Sequence, residues 1–308
     1  MNIRLSQIFN SIKCRSYTLT RKLCRVTNTI YEYFKSSNNS VILNSWTEYR
    51  FGKVKQRNWG DELNVYLMEE LIGTKAIIRD DVLKSRKLNY AVIGSLIPQN
   101  IDCETIIWGA GTFYDKCQLP YKPLKVCAVR GKITRKVLID NGIECPKIYG
   151  DPALILPYVY KPAVDKKYRL GLICHINDEK SSVYHEFLKK YPKDILPIKL
   201  HDYGDWHSVI DKICSCEVIA SSSLHGIIVS DAYGIPNIWL QSLSWIPGGN
   251  IKFLDYFSGV NRDPVDPVIL EDGQNLQILL DKASGYIPIN YDIIPLLKAC
   301  PFPIKDLL

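Results

Sequence analysis

The sequence predicts an α/β protein made of two domains that face each other across a cleft. Short apolar runs alternate with helical patterns from Val41 onward, which is typical of βα units with parallel strands. The pattern breaks between Pro157 and Pro162, and two prolines this close suit a linker. A chain of 308 residues is also long for one core, because domains usually have about 100–150 residues.

The N-terminal α/β domain is predicted over residues 41–160. Its predicted strands are Val41–Leu43, Ala76–Ile78, Tyr90–Ile93, Thr105–Trp108 and Val126–Val129. One helix is predicted to begin at Asp61. A second is predicted to begin near Gly131 and to end at Asn141-Gly142, a pair that makes a good C-terminal cap.

The C-terminal α/β domain is predicted over residues 161–308. Its predicted strands are Arg169–Cys174, Ile195–Ile198, Val218–Ala220 and Asn237–Leu240. Helical patterns fit between them at about 181–190, 206–214 and 224–233. The same alternation therefore predicts a second parallel sheet.

Residues 1–40 precede both domains and are predicted to form a basic amphipathic arm. Residues 1–35 hold seven basic groups and one acid, so they contribute +6 of the net charge of +7. The rest of the chain sums to +1, which excludes a uniformly basic nucleic-acid surface. The arm contains no apolar run as long as a signal-peptide core or a membrane span. It suits either an anionic membrane surface or a solvated helix packed on the domain.

The ten cysteines are scattered through apolar runs, without CxxC pairs or cysteine–histidine ligand spacing. We therefore expect reduced cysteines, a cytoplasmic protein and no metal site.

Ligands of open parallel sheets bind beyond the carboxyl ends of the strands, so the strand-to-helix turns are the first candidates for a site. At one such turn, three serines follow a strand and precede an apolar helix. The free amides of that helix start favour an anion. The predicted anion-binding residues there are Ser221, Ser222 and Ser223. His225 falls in the first helical turn and suits proton transfer near neutral pH, although serines at such positions are more often only caps.

A second turn, Arg57 to Leu63, opens the first predicted helix. Asp61 is a natural N-cap, and Gly60 lets a ligand approach the backbone. Asn58 suits hydrogen bonds to sugar hydroxyls, and Trp59 suits stacking on a sugar face. On spacing alone, capping is the more common explanation of this turn.

Three further residues are candidate contacts for a bound anion. Arg130 directly follows a predicted strand, where a guanidinium can clamp phosphate or carboxylate. His175 directly follows the predicted strand Arg169–Cys174. Lys252 comes three residues after the glycine pair Gly248-Gly249. A dinucleotide fingerprint is absent, because Tyr114 stands where the third glycine belongs.

Four of these segments resemble the polysaccharide pyruvyl transferase family. They read RNWGDELN, VRGKITRKVLIDNGI, YGDPALILP and SSSLHGIIVSDAYGIPNIWL. The resemblance implies two Rossmann-like domains in a GT-B-like arrangement. It also implies a pyruvyl transferase that moves the enolpyruvyl group of phosphoenolpyruvate onto a hexose of a capsule or exopolysaccharide precursor. The product would be a cyclic pyruvate ketal, made without a cofactor and with phosphoenolpyruvate as co-substrate.

Carried onto this chain, the resemblance makes His225 the main catalytic residue, with Asp61 assisting, and makes Gly226 part of the anion-binding turn. Arg130 would face the donor. Asn58 and Gly60 would form the opposite wall with Asp61. Many family members have arginine two residues before the histidine, where this chain has Ser223. Either Arg130 or Lys252 is then expected to supply the missing charge, or the donor binds in a different position.

A lipid-diphosphate-linked saccharide acceptor would explain the basic arm, which is expected to dock the enzyme at the inner membrane face. Two other functions fit the same architecture. One is a GT-B glycosyltransferase that uses a nucleotide-sugar. The other is a non-enzymatic sugar-binding or assembly protein, since the family arginine is missing at Ser223.

Overall fold

A computed structural model describes residues 40–47, 49–50, 53–54, 57–78, 88–244 and 248–304. The predictions made for the arm, residues 1–35 above all, lie outside the described residues. Within the described ranges, none of the helices combines the length and the apolar character that crossing a bilayer requires.

Thirteen strands are described. They are β1 (Val41–Leu43), β2 (Tyr49–Arg50), β3 (Lys53–Val54), β4 (Ala76–Ile78), β5 (Asn89–Ala91), β6 (Ser95–Ile97), β7 (Thr105–Trp108), β8 (Gly111–Thr112), β9 (Lys125–Ala128), β10 (Tyr168–Ile173), β11 (Ile195–Pro197), β12 (Cys216–Ser221) and β13 (Asn237–Trp239).

The helices alternate with these strands. They are α1 (Trp59–Ile72), α2 (Lys132–Asp140), α3 (Leu156–Val159), α4 (Ser182–Lys190), α5 (His207–Cys214), α6 (Leu224–Ala232), α7 (Ile251–Gly259), α8 (Leu276–Ser284) and α9 (Ile294–Lys298). Two short 3₁₀ helices cover Pro152–Ile155 and Asp178–Lys180.

Two parallel sheets carry the fold. The first has five strands in the order β4-β1-β5-β7-β9, and the second has four in the order β11-β10-β12-β13. All strand pairs in both sheets are parallel. Two small two-stranded sheets, β2-β3 and β6-β8, accompany them. The predicted α/β class with parallel sheets is confirmed, whereas the GT-B-like arrangement of two Rossmann-like domains stays a prediction.

Most predicted strands and helices match the structure closely. The strand predicted at Val126–Val129 is β9, which begins and ends one residue earlier, and α2 ends at Asn141-Gly142 as expected. The start of α1 differs. This helix begins at Trp59 with Asn58 as its N-cap, so the prediction that Asp61 caps it was wrong.

The chain returns to the first sheet after the second sheet is complete. Helix α7 packs on α2 and β8. Further along, the Trp108 indole donates to the Leu296 carbonyl at 2.9 Å, and the Tyr291 hydroxyl donates to the Tyr149 carbonyl. Buried side chains from both halves belong to one continuous apolar cluster. The predicted boundary near residue 160 therefore separates two sheets that share a core.

Candidate active site

A cavity of about 300 Å³ lies beyond the carboxyl ends of strands from both sheets. Its lining includes eight of the residues singled out in the sequence: Asn58, Asp61, Arg130, His175, Ser222, Ser223, His225 and Lys252. Trp46, Gly94, Ser95, Phe113 and Leu224 complete it. The general rule for ligand sites in parallel sheets thus predicted most of the lining.

The serine turn joins β12 to α6, and its three hydroxyls differ in what they contact. Ser221 is buried; its Oγ accepts from the Ser223 amide at 3.0 Å and donates to the Ser223 carbonyl at 2.8 Å. Ser222 Oγ accepts from the His175 amide at 2.9 Å and donates to Asp178. Ser223 is the N-cap residue of α6, but its side chain makes no capping hydrogen bond. Ser223 therefore offers its hydroxyl to the cavity, whereas Ser221 stabilises the turn.

Two glycines predicted to contact ligand serve packing instead. A Cβ on Gly60 would overlap the imidazole ring of His225, and a Cβ on Gly226 would collide with Ser221 Oγ. Neither glycine lines the cavity. Gly60 thus lets His225 approach helix α1, and Gly226 lets α6 approach β12.

His225 carries an imidazole that is electrically neutral at physiological pH. Burial, together with the positive charges of Lys252 and Arg130, lowers its pKa to about 3. Its Nε2 atom is buried and has no hydrogen-bond partner among the described residues. A buried ring nitrogen without a partner is unfavourable, so this imidazole is suited to a hydrogen bond with a hydroxyl group of a bound ligand.

Asp61 faces the same cavity from the first turn of α1. Asn58 caps the helix by accepting from the Gly60 amide, and its Nδ2 donates to Asp61 Oδ2 at 2.6 Å. Burial raises the pKa of Asp61 to about 7, with the Glu62 carboxylate adding to the rise and Lys252 and Asn58 opposing it. Asp61 therefore exchanges a proton near neutral pH.

Arg130 is fully buried and held on three sides. Its Nε lies 2.9 Å from Asp255 Oδ2, its Nη1 donates to Ser95 Oγ at 2.8 Å, and its Nη2 donates to the Thr112 carbonyl at 2.9 Å. The guanidinium still lines the cavity. It is a fixed charge at the site rather than a free clamp.

Lys252, at the start of α7, is the second cation of the cavity. Burial and the neighbouring Arg130 charge lower its pKa to about 8, while the Asp61 carboxylate partly offsets them. His175 is half-buried, and burial lowers its pKa as well, with Lys252 adding to the effect and Asp178 opposing it. The cavity therefore carries excess positive charge near neutral pH, which favours an anionic ligand.

Trp59 does not lie in the cavity. Its side chain is fully buried, and its indole N–H donates to the Trp206 carbonyl at 2.9 Å. The expectation that Trp59 stacks on a sugar is therefore wrong, because the first turn of α1 directs this indole into the core. The aromatic side chains that do line the cavity, Trp46 and Phe113, were missed. Trp46 follows β1 by three residues, so the strand-end rule was a signal for it.

Within the described ranges, no cluster of three or more histidine, cysteine or acidic side chains is arranged to hold a metal ion. The eight described cysteines are free thiols.

Comparison with known proteins identifies the family. A family model described as polysaccharide pyruvyl transferase matches residues 20–243. An uncharacterized protein of Acanthamoeba polyphaga mimivirus is 29% identical over 221 residues, which cover 68% of this chain and 74% of that protein. No solved structure is significantly similar to the chain. Because the family model spans well over half of the chain and includes every described turn that lines the cavity except the one bearing Lys252, this protein belongs to the polysaccharide pyruvyl transferase family.

Proposed function

We propose that the protein transfers the enolpyruvyl group of phosphoenolpyruvate to a hexose of a polysaccharide precursor and closes it into a cyclic ketal. One observation carries the proposal: a single small cavity holds two cations, Arg130 and Lys252, beside a neutral imidazole, that of His225, and a carboxyl group, that of Asp61, which titrates near neutral pH. A volume of about 300 Å³ lies at the lower end for small-molecule sites. Such a volume favours a compact donor over a nucleotide-sugar.

The cations would bind the donor. Phosphoenolpyruvate carries a carboxylate and a phosphate, and its phosphate is mostly dianionic at neutral pH, since the second pKa of a phosphomonoester is about 6. Lys252 would pair with one of these groups, and the Ser223 hydroxyl and amides at the start of α6 would donate to the other. Arg130, fixed by Asp255, would contribute its field to both.

The transfer needs proton movements that His225 and Asp61 can perform. The methylene carbon of the donor accepts a proton and becomes a methyl group, and one sugar hydroxyl bonds to the central carbon. A second hydroxyl of the same sugar displaces phosphate and closes the ketal. The two hydroxyl protons balance the one taken up by the methyl group and the one that leaves with phosphate.

Near pH 7, His225 is neutral and Asp61 is partly protonated. An anionic donor raises the pKa of a neighbouring imidazole. His225 would then take the proton of one sugar hydroxyl and give it to the methylene carbon, while Asp61 would take the proton of the second hydroxyl and give it to the leaving phosphate.

The test is phosphate release from phosphoenolpyruvate with lipid-linked galactose, glucose and mannose acceptors. We expect acceptor-dependent release by the wild type and a loss of about 10²–10⁴-fold in His225→Ala. His185→Ala, a change at an exposed histidine on α4, is the matched control and should keep full activity. Absence of release with every acceptor, together with binding of a nucleotide-sugar, would instead support the glycosyltransferase alternative.

Residues 1–35 are proposed to bring the enzyme to its lipid-linked acceptor. Their charge of +6 would hold the enzyme at an anionic membrane where lipid-linked saccharides are assembled. Removal of residues 1–35 should abolish binding to anionic vesicles without affecting turnover of a soluble acceptor. Unchanged vesicle binding would refute this part.

A further inference from the structure

Trp46 is exposed in a way that the other described tryptophans are not. It is 40% exposed, whereas Trp59, Trp108, Trp206 and Trp239 are at most 8% exposed. An indole contributes a large apolar surface, and covering that surface with a ligand is favourable. Trp46 also lines the cavity that holds His225 and Lys252, so this residue borders the place where chemistry is proposed.

The exposed indole is held in place. Its Nε1 donates to the Ser95 carbonyl at 3.0 Å, and its ring centroid lies 6.0 Å from that of Phe113 at a tilt of 49°. Phe113 is itself confined, because Gly248 packs so closely on it that a Cβ there would collide with the phenyl ring. An aromatic surface fixed in advance loses little conformational entropy when a ligand binds.

Ser95 connects this aromatic surface to the charged part of the cavity. Its carbonyl accepts from the Trp46 indole, and its hydroxyl accepts from Arg130 Nη1. The distance between indole and guanidinium is therefore set by one residue at the start of β6. A ligand lying on the indole is therefore placed at a fixed distance from the Arg130 guanidinium.

We propose that Trp46, supported by Phe113, is the binding platform for the terminal pyranose of the acceptor. The electron-rich face of an indole attracts the electropositive C–H groups on one face of a pyranose ring. A sugar stacked in this way leaves its hydroxyls at the ring edge, and two of them would point towards His225 and Asp61. The cavity, at about 300 Å³, lies at the lower end for small-molecule sites, so only the terminal ring of the acceptor would lie in it beside the donor. The remainder of the acceptor extends outward from the mouth where Trp46 lies.

This inference rests on the proposed function for the identity of the acceptor, but its first test does not use turnover. Saturation-transfer NMR with methyl β-galactoside, methyl β-glucoside and methyl α-mannoside at millimolar concentration reports pyranose binding without phosphoenolpyruvate. We expect signal from at least one glycoside on the wild type, its loss in Trp46→Ala, and its retention in Trp46→Phe. Tyr121→Ala is the matched control, because Tyr121 is 56% exposed and does not line the cavity. Absence of signal from all three glycosides on the wild type, or equal signal in Trp46→Ala, would overturn the platform.

The second test separates the platform from a general structural role. In the phosphate-release assay, Trp46→Ala should raise KM for the acceptor roughly tenfold and leave KM for phosphoenolpyruvate unchanged. Equal rises in both KM values would indicate that the substitution disturbs the whole cavity, and would overturn the proposal. Turnover by Trp46→Ala with an unchanged acceptor KM would also overturn the platform proposal, but the proposed pyruvyl transferase function would stand. Glycoside binding that depends on Trp46 in a protein without turnover would instead preserve the platform and refute the proposed reaction.

Discussion

Arg130 and Lys252 are two cations of one cavity, yet their surroundings differ. Arg130 is fully buried and paired with Asp255 through an ion pair with 0% exposure on either side chain. Lys252 is only partly buried, and no described carboxylate lies within ion-pair distance of it. The Asp255 ion pair balances the charge of the arginine, whereas the charge of the lysine is only partly offset by the neighbouring Asp61 carboxylate. The difference indicates that Arg130 serves mainly to join α7 to the first sheet, and it supports the proposal that Lys252 binds the donor.

The largest effect is expected on the free energy of unfolding, when a substitution breaks the ion pair between Arg130 and Asp255. Asp255→Asn leaves the Arg130 charge buried without its counter-charge, and breaking such a pair costs about 3–5 kcal/mol. Urea unfolding should show this loss. The control is Asp140→Asn, which removes the exposed Lys136–Asp140 pair and should cost at most about 0.5 kcal/mol. Equal losses in the two variants would mean that the ion pair with Asp255 does not fix Arg130 in the core.

The next effect should appear in donor binding. Lys252→Gln is expected to raise KM for phosphoenolpyruvate by roughly 10–100-fold, since a hydrogen bond to a charged group is worth about 1.5–3 kcal/mol. The free energy of unfolding should not fall, because no described ion pair is broken. Steady-state kinetics and urea unfolding measure the two quantities, with Lys132→Gln, at the exposed start of α2, as the control. A donor KM that stays at the wild-type value would place the donor elsewhere.

A smaller effect follows from the lowered pKa of Lys252. The ammonium is charged below its pKa of about 8 and loses its charge as pH rises through that value, so donor affinity should decline in the same direction. Between pH 8 and 9 the charged fraction falls from about one half to about one eleventh, and kcat/KM for the donor should fall about fivefold. The donor phosphate does not change charge in this range. Lys252→Arg should remove the decline; a decline that persists in this variant would assign it to another group.

The smallest effect on the wild-type protein is expected at the serine that stands where many family members have arginine. Ser223 lines the same cavity as Lys252. If Lys252 supplies the missing charge, Ser223→Arg should restore most of the donor affinity lost in Lys252→Gln, while changing the wild-type KM only about threefold. Failure to restore affinity in the double variant would show that the two positions contact different parts of the donor.

Prediction from sequence succeeded where local pattern determines structure. Alternating apolar and helical segments located the sheets, and the strand-end rule brought His225, Asp61 and Arg130 to one place. Contacts between residues that are distant in the chain could not be predicted from local sequence patterns. Asp255 lies 125 residues from Arg130, and no local signal joins them.

The sequence analysis placed Trp59 rather than Trp46 at the candidate site for a related reason. Trp59 and Trp46 both stand near predicted turns, and either suits a sugar-binding site by residue type. Which indole faces the cavity depends on the direction of the first turn of α1 and on the Trp206 carbonyl that accepts from Trp59. Tertiary packing of this kind is not encoded in a short segment.

The return of the chain to its first sheet has a consequence for how the protein is made. Synthesis proceeds from the N-terminus, and a domain with a contiguous sequence can fold while later residues are still being added. Here Tyr149 and Trp108 receive their partners Tyr291 and Leu296 only after nearly the whole described chain has left the ribosome. The apolar surface of the first half therefore stays uncovered until those residues are made. Expression of a fragment ending near residue 160 should yield an aggregating product rather than a smaller stable protein.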